Sequence, residues 1–281
     1  MKNKTKKIIA LLSIFIICII TFTNFHLNAN SNEIVFTNMN DSKSKEEVIE
    51  ILKKHKISNY QIYKLEQWLK DFNSQVKGNS LTTGFKIMDN NVVDYSKLQF
   101  KNTPSYLVNC RLTSFLLVRN IINTNCKPDN TDTYLAFDLE EINNNSELSM
   151  TKQDKLNYAT LFNWIPLDNA KTLKQHINKI ESKLKERNIY IDDSKGISLI
   201  NVYLHSPFDN ARFVGHTGVL IDNGKELLFI EKYGPYAPFQ ATKFNSRDEL
   251  KKYLLSRSDL YGGDDELEPI IFENYKVIKT K

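Results

Sequence analysis

The chain has 281 residues, 41% of them hydrophobic and 25% charged, ordinary fractions for a globular protein with enough chain for a full core. Its formal charge at pH 7 is +5, but Lys2, Lys4, Lys6 and Lys7 fall in the first 29 residues, which hold no acid, so the remainder carries only +1. That balance gives no argument for nucleic-acid binding.

Lys2 to Lys7 form a basic segment, and Ile8 to Phe22 form an apolar run broken only by Ser13 and Thr21. Leu27-Asn28-Ala29 offers a cleavage site. The run is shorter than the ~20 residues that span a bilayer. Residues 1–29 therefore read as an export signal, with an uncleaved anchor as the alternative. This predicts a secreted or extracytoplasmic protein that meets membrane only through this segment, and only if the segment stays uncleaved. Cys18 follows Ile17, which is not the small residue a lipidation site needs. Residues 30–41 read as a polar linker and residues 42–281 as a single domain, with no repeats and no low-complexity tract.

Ser44-Lys45-Glu46-Glu47 fits a capping box opening a helix with Val48, Ile49 and Leu52 on one face. Ile62, Leu65, Leu69, Phe72 and Val76 recur at spacings of three and four before Gly78, which predicts a second helix. Leu81 to Met88 reads as a strand.

Asn109 is a favourable N-cap, and Leu112, Phe115, Leu116 and Ile122 give a helical stripe behind it. Cys110 then takes the first helical position, where the helix dipole and free backbone N–H groups stabilise a thiolate. The same N–H groups can serve an oxyanion. The alternatives are a packed thiol or a disulfide to Cys126. Some twelve helical residues between the two span about 18 Å, whereas a disulfide needs Cα atoms within about 7 Å. The spacing therefore argues against the bridge, and Cys126 reads as inert.

Residues 134–139 (YLAFDL) read as a strand, and Leu156, Leu161 and Trp164 as a helix closed by Pro166. Asp168 or Asn169 is expected to cap a helix with the stripe Leu173, Ile177, Ile180 and Leu184; His176 falls off that stripe and is expected in solvent. Residues 197–204 (ISLINVYL) have high β-propensity, and His205 at their end is a reserve candidate for a site imidazole. Ser246 to Glu249 is another capping box, opening a helix with Leu250, Tyr253 and Leu254. Pro269 to Ile278 reads as a last strand.

The stretch 214–233, VGHTGVLIDNGKELLFIEKY, is two apolar runs around Asn223-Gly224. That dipeptide predicts a two-residue type I′ hairpin, because both central residues need φ > 0. Counting back from this turn places His216 directly opposite Glu231 on one sheet face. A carboxylate among apolar residues needs a partner, and the imidazole is the obvious one.

The predicted order is helices, a cysteine-headed helix, more helices, then antiparallel strands carrying the histidine. That is an α+β fold. This order and the GHTGVLI strand resemble the papain-like cysteine peptidases, including NlpC-type and CHAP-type cell-wall hydrolases. The resemblance implies a nucleophile-bearing helix packed on an antiparallel sheet, here with extra N-terminal and middle helices. A closer resemblance, carried by NCRLTSFLL, GHTGVLI, LLFIEKY, PFQATKF and the helix with YLL, covers nearly the whole exported chain. It is to an uncharacterised exported bacterial family, domain of unknown function 4300. That likeness marks Cys110, His216, Glu231 and Gln240 as motif positions. The orienting residue of the peptidases is usually His, Asn or Gln, whereas here it is Glu231.

The expected chemistry follows. His216 takes the Cys110 proton, and Glu231 fixes the tautomer. The Cys110 backbone N–H is one oxyanion donor, and Gln240 or Asn109 a second. Arg111 and Lys232 are candidates for a substrate carboxylate. No Cys/His/Asp/Glu cluster has metal-ligand spacing, and no glycine-rich phosphate loop occurs, so no metal or cofactor is expected. The leading expectation is an exported cysteine hydrolase of an amide or peptide bond, with cell-wall peptide as the candidate substrate. The alternatives are a non-catalytic secreted or surface binding protein retaining the fold, and a thiol acyltransferase.

Overall fold

The structure is a computed structural model and describes residues 33–88, 95, 98–128 and 133–278. Residues 1–32, which include Cys18 and the stretch expected to be an export signal, lie outside the described residues. The strands are β1 (Val35–Thr37), β2 (Lys86–Ile87), β3 (Ile122–Asn123), β4 (Ile165–Pro166), β5 (Tyr190–Ile191), β6 (Ile197–Ser206), β7 (Ala211–Asp222), β8 (Leu227–Lys232), β9 (Phe239–Phe244), β10 (Ile270–Glu273) and β11 (Lys276–Val277). The main sheet runs β11-β10-β6-β7-β8-β9-β1-β2, with β4 also paired to β7; β3 and β5 form a separate pair. Each of these pairings is antiparallel.

Among the described residues there are seven α-helices: α1 (Ser42–Lys54), α2 (Asn59–Gln75), α3 (Cys110–Val118), α4 (Ala136–Asn144), α5 (Lys152–Phe162), α6 (Leu173–Glu186) and α7 (Arg247–Ser256). None of them is long and apolar enough to cross a membrane. Two apolar clusters flank the sheet. One packs Leu65 and Phe72 of α2 and Leu112 and Phe115 of α3 with Val219, Ile221, Leu228 and Ile230. The other packs Leu250, Tyr253 and Leu254 of α7 with Leu220 and Phe229. Side chains alternate across a strand, so β7 and β8 are covered on both faces. That is why they read as nearly continuous apolar runs. Each such buried side chain contributes about 1.5–3 kcal/mol.

Several local expectations change. The stretch read as linker holds β1, which lies between β9 and β2; Val35 and Phe36 have the β-propensity for it. Of Leu81 to Met88 only β2 is strand. The first helix starts two residues before Ser44, with Asp41 as its cap accepting the Ser44 N–H at 3.0 Å. Residues 134–139 are not a strand: a 3-10 turn, Thr133–Leu135, leads into α4. Thr172, not Asp168 or Asn169, caps α6 through a capping box with Gln175. His176 is buried, because positions 173, 176, 177, 180 and 184 all lie on one helical face.

The central hairpin also differs. Asp222 pairs with Leu227 and Gly218 with Glu231, so the loop has four residues, 223–226, and the register is two residues from the one expected. Only Gly224 takes positive φ, at 84°, and Asn223 does not, so the type I′ turn is not formed. Instead Asn223 Oδ1 accepts the N–H groups of Lys225 and Glu226, both at 3.0 Å. A slip of two keeps every side chain on its face. His216 is thus diagonal to Glu231, not directly opposite, and Gly218 takes the opposed place.

Gly218 is needed there. A Cβ at this position would lie 2.3 Å from the Phe229 ring and 2.9 Å from the Ile230 carbonyl oxygen. A side chain would also stand beside the diagonal that His216 and Glu231 use. Gly218→Ala should destabilise the protein by about 1–3 kcal/mol through overpacking, read as a lower midpoint in urea unfolding. An unchanged midpoint would contradict the close packing described.

Candidate active site

The cysteine end of the site is built on a second acid. Asn109 is extended and accepts the Leu112 N–H on Oδ1 at 3.0 Å, which starts α3 with Cys110 as its first residue. The Asn109 Nδ2 donates to Asp138. Asp138 is buried and also accepts from Arg111 Nε at 2.5 Å and Tyr158 Oη at 2.8 Å. The other nitrogens of Arg111 donate to the Val214 carbonyl at 2.8 Å and the Tyr134 carbonyl at 3.1 Å. Arg111 therefore ties the start of α3 to β7 two residues before His216.

The imidazole end is built on the sheet. β7 continues to pair with β6 as far as Ala211, but its pairing with β8 stops at Gly218 opposite Glu231. His216 lies just beyond that point. The β6–β7 register shifts there as well, with His216 on Val202 and Val214 on Tyr203. Gly215 is the extra residue of this bulge, a device that re-aims neighbouring side chains. A Cβ on Gly215 would meet Leu204 Cδ1 at 2.2 Å. His216 Nε2 lies 2.7 Å from Glu231 Oε2, and the Cys110 thiol is close enough to the imidazole for each to shift the other's protonation. With Nε2 turned to Glu231, Nδ1 is the nitrogen left for the thiol. Cys110 and Cys126 are both free cysteines.

Glu231 is fully buried and its oxygens are occupied. Besides His216, Oε2 accepts from Arg257 Nη1 at 2.7 Å, and Oε1 accepts from Tyr253 Oη at 2.6 Å. Gln240, directly opposite on β9, approaches Oε1 at 3.5 Å. Arg257 is fully buried too. It lies over the Tyr233 ring, 3.8 Å from the centroid, and holds Asp259 with two hydrogen bonds of 3.0 and 2.6 Å.

These neighbours set the protonation states. Burial alone would raise the Cys110 thiol, but the neighbouring His216, with help from the Arg111 charge, outweighs it and holds its pKa below the ordinary value. Burial and the Arg257 charge pull His216 down, yet its neighbours Cys110 and Glu231 win and raise it. Burial would raise Glu231, but Arg257, His216 and Tyr253 hold it below its ordinary 4.5. A lowered thiol beside a raised imidazole favours the thiolate–imidazolium pair.

The structure brings Cys110, His216 and Glu231 together. It places the other candidates differently. Lys232 is fully buried, and its Nζ donates to the carbonyls of Gly234, Pro235 and Ala237 at 2.6, 3.0 and 2.6 Å. Burial draws its pKa down to about 7, although three carbonyl acceptors favour the charged form. It staples the chain after β8 and presents no free donor to a substrate. Arg111 is held by its three acceptors. Asn109 is used as cap and as donor to Asp138. Gln240 Nε2 donates to Thr242 Oγ1 at 2.9 Å and approaches the Tyr253 hydroxyl at 3.1 Å, while its Oε1 accepts from Tyr95 Oη at 2.5 Å. Gln240 thus sits behind Glu231, not over the thiol. His205 is elsewhere: its Nδ1 accepts the Leu267 N–H at 3.0 Å, beside His176.

Arg257, Asp259 and Asp138 were missed from the sequence. Arg257 follows the end of α7, where an isolated basic residue carries no periodic signal. Asp138 lay hidden in a segment read as strand. Among the described residues no cluster of His, Cys, Asp and Glu has the arrangement of a metal site.

The architecture is α+β around a mostly antiparallel sheet. Residues 35–278 match the model of the family described as a domain of unknown function, DUF4300, and the chain belongs to that family. No curated protein and no solved structure matches the chain.

The electrostatics give a stability prediction. A carboxylate whose pKa is depressed on folding stabilises the protein above its unfolded pKa, and that contribution is lost as pH falls through the folded value. Glu231→Gln also leaves the buried Arg257 with Asp259 alone, which should cost about 3–5 kcal/mol at pH 7. The gap between parent and variant in urea unfolding should shrink as pH is lowered below the ordinary carboxylate range. A gap that stays constant with pH would contradict an ionised Glu231.

Proposed function

We propose that this protein is a cysteine-dependent hydrolase of an amide or peptide bond, with Cys110 as nucleophile, His216 as base and acid, and Glu231 as the orienting group. The observation that carries this reading is the line of three side chains, with the Cys110 thiol at the head of α3 beside His216 and His216 Nε2 2.7 Å from the buried Glu231 carboxylate. Packed thiols do not need such a line. The papain-like relationship is part of the same proposal, supported by the cysteine at the head of α3 and the histidine on an antiparallel strand. By the resemblance to the NlpC-type and CHAP-type enzymes the candidate substrate is cell-wall peptide, and the basic, apolar N-terminus supports action outside the cytoplasm.

The steps follow from the geometry. The Cys110 thiolate attacks the substrate carbonyl carbon, and a C–S bond forms as the carbonyl oxygen takes the negative charge. The backbone N–H of Cys110, at the open end of α3, can donate to that oxygen. The imidazolium of His216 gives its proton to the leaving amine as the C–N bond breaks. Water then attacks the thioester, with His216 taking a proton. The acid departs and the Cys110–His216 pair is restored. Glu231, held by its other donors, stabilises the imidazolium through both halves.

The test is acyl transfer from an activated ester such as p-nitrophenyl acetate. The parent should release nitrophenol with a burst of about one equivalent per chain, the mark of an acyl-enzyme. Cys110→Ala should abolish the burst, and His216→Ala should slow it by about 10²–10⁴-fold. Cys126→Ala should leave it unchanged. A parent without a burst, or one whose burst survives Cys110→Ala, would overturn the hydrolase reading in favour of a non-catalytic binding protein.

A further inference from the structure

Behind the Cys110–His216–Glu231 line lies a buried cation that those three roles do not use. We infer that Arg257 is a positioning residue of this site, one that pins Glu231 against His216 and limits how tightly the imidazole holds its proton. The inference rests on the proposed part of His216 as base, but it is read on His216 itself and can stand or fall separately.

The geometry is specific. Arg257 Nη1 donates to Glu231 Oε2 at 2.7 Å, the same oxygen that lies 2.7 Å from His216 Nε2. Nη1 is also 3.2 Å from that ring nitrogen. When Nε2 carries the proton it gives to Oε2, it has no lone pair for Arg257. The contact is then donor to donor, and the guanidinium charge opposes an imidazolium. On its far side Arg257 is gripped by Asp259 through Nε and Nη2, and its plane rests on Tyr233. A planar fork held on two edges and one face cannot swing away, as a lysine could. Glu231 is thereby kept ionised and fixed in place.

The titratable and charged groups around His216 come from every neighbouring element. Cys110 is at the head of α3, Glu231 on β8, Tyr233 just after β8 and Tyr253 on α7. Arg257 and Asp259 follow α7. Cys110 and Glu231 favour the imidazolium, Arg257 disfavours it, and Asp259 partly offsets Arg257. Removing Arg257 or Asp259 should therefore move the His216 titration in opposite directions. A purely structural arginine would give no such signs.

The experiment is a side-chain NMR titration of His216 in the Cys110→Ala background, which separates the measurement from any reactivity of the thiol. Arg257→Gln should shift the His216 midpoint to higher pH, because a like charge has gone. Arg257→Lys keeps the charge without the fork, and its midpoint should lie between those of the parent and Arg257→Gln. Asp259→Asn should shift the midpoint to lower pH. Its side chain is about half exposed, so this variant should fold even if Arg257→Gln does not, and its shift then decides the matter. Midpoints that do not move, or that move the same way in Arg257→Gln and Asp259→Asn, would overturn the inference. If the shifts appear but the ester burst of the parent does not, the hydrolase reading fails while the role of Arg257 on His216 stands.

Discussion

The site depends on one buried charge. The Glu231 carboxylate sits in the middle of the sheet with no water-exposed surface, a position that costs several kcal/mol unless the charge is paired and hydrogen-bonded. His216 supplies one of those bonds from β7, and Tyr253 and Arg257 supply the others from α7 and its C-terminal cap. Because the acid must be satisfied, the imidazole is fixed in one orientation and the α7 end is drawn onto the sheet. Together with the Cys110 thiol, the same buried charge favours a protonated His216 in an interior that would otherwise reject it.

A second acid does the corresponding work for the nucleophile. Asp138 gathers Asn109, Arg111 and Tyr158, and so fixes the cap and first turn of α3. Arg111 then reaches across to the Val214 carbonyl. The cysteine half and the histidine half are thus each anchored to a buried carboxylate and joined by one guanidinium. A thiol and an imidazole at the seam of these two halves are the arrangement on which the proposed nucleophilic role of Cys110 rests.

Much of this was legible in the sequence because the signals were local. Asn109 before a helical stripe marked the head of α3, and the two apolar runs around Asn223-Gly224 marked the hairpin that carries His216 and Glu231. The register was missed by two residues because Asn223 uses its side chain to hold a longer loop, in place of the φ > 0 that a two-residue turn demands. The pair survived that error since a slip of two preserves the face. Arg257, Asp138 and Asp259 were not legible. Arg257 and Asp138 find their site partners far away in sequence, Asp259 matters only through Arg257, and a lone charge beside a helix end looks the same whether it is buried or solvated. Lys232 and Arg111 show the reverse: each read as a free cation for a substrate, but Lys232 is consumed by the carbonyls of the bend just after it and Arg111 by Asp138 and two distant carbonyls.

The central claim is that Cys110 and His216 share a thiolate–imidazolium pair sustained by Glu231. The most direct measurement is the ultraviolet absorbance of the thiolate, titrated with pH in the parent and in Cys110→Ala. The difference isolates Cys110 from Cys126. The account predicts a thiolate that persists well below the about 8.5 of a free cysteine and disappears only in acid. A difference signal that grows in only as pH approaches about 8.5 would mean an ordinary thiol at the head of α3, and the account would be wrong.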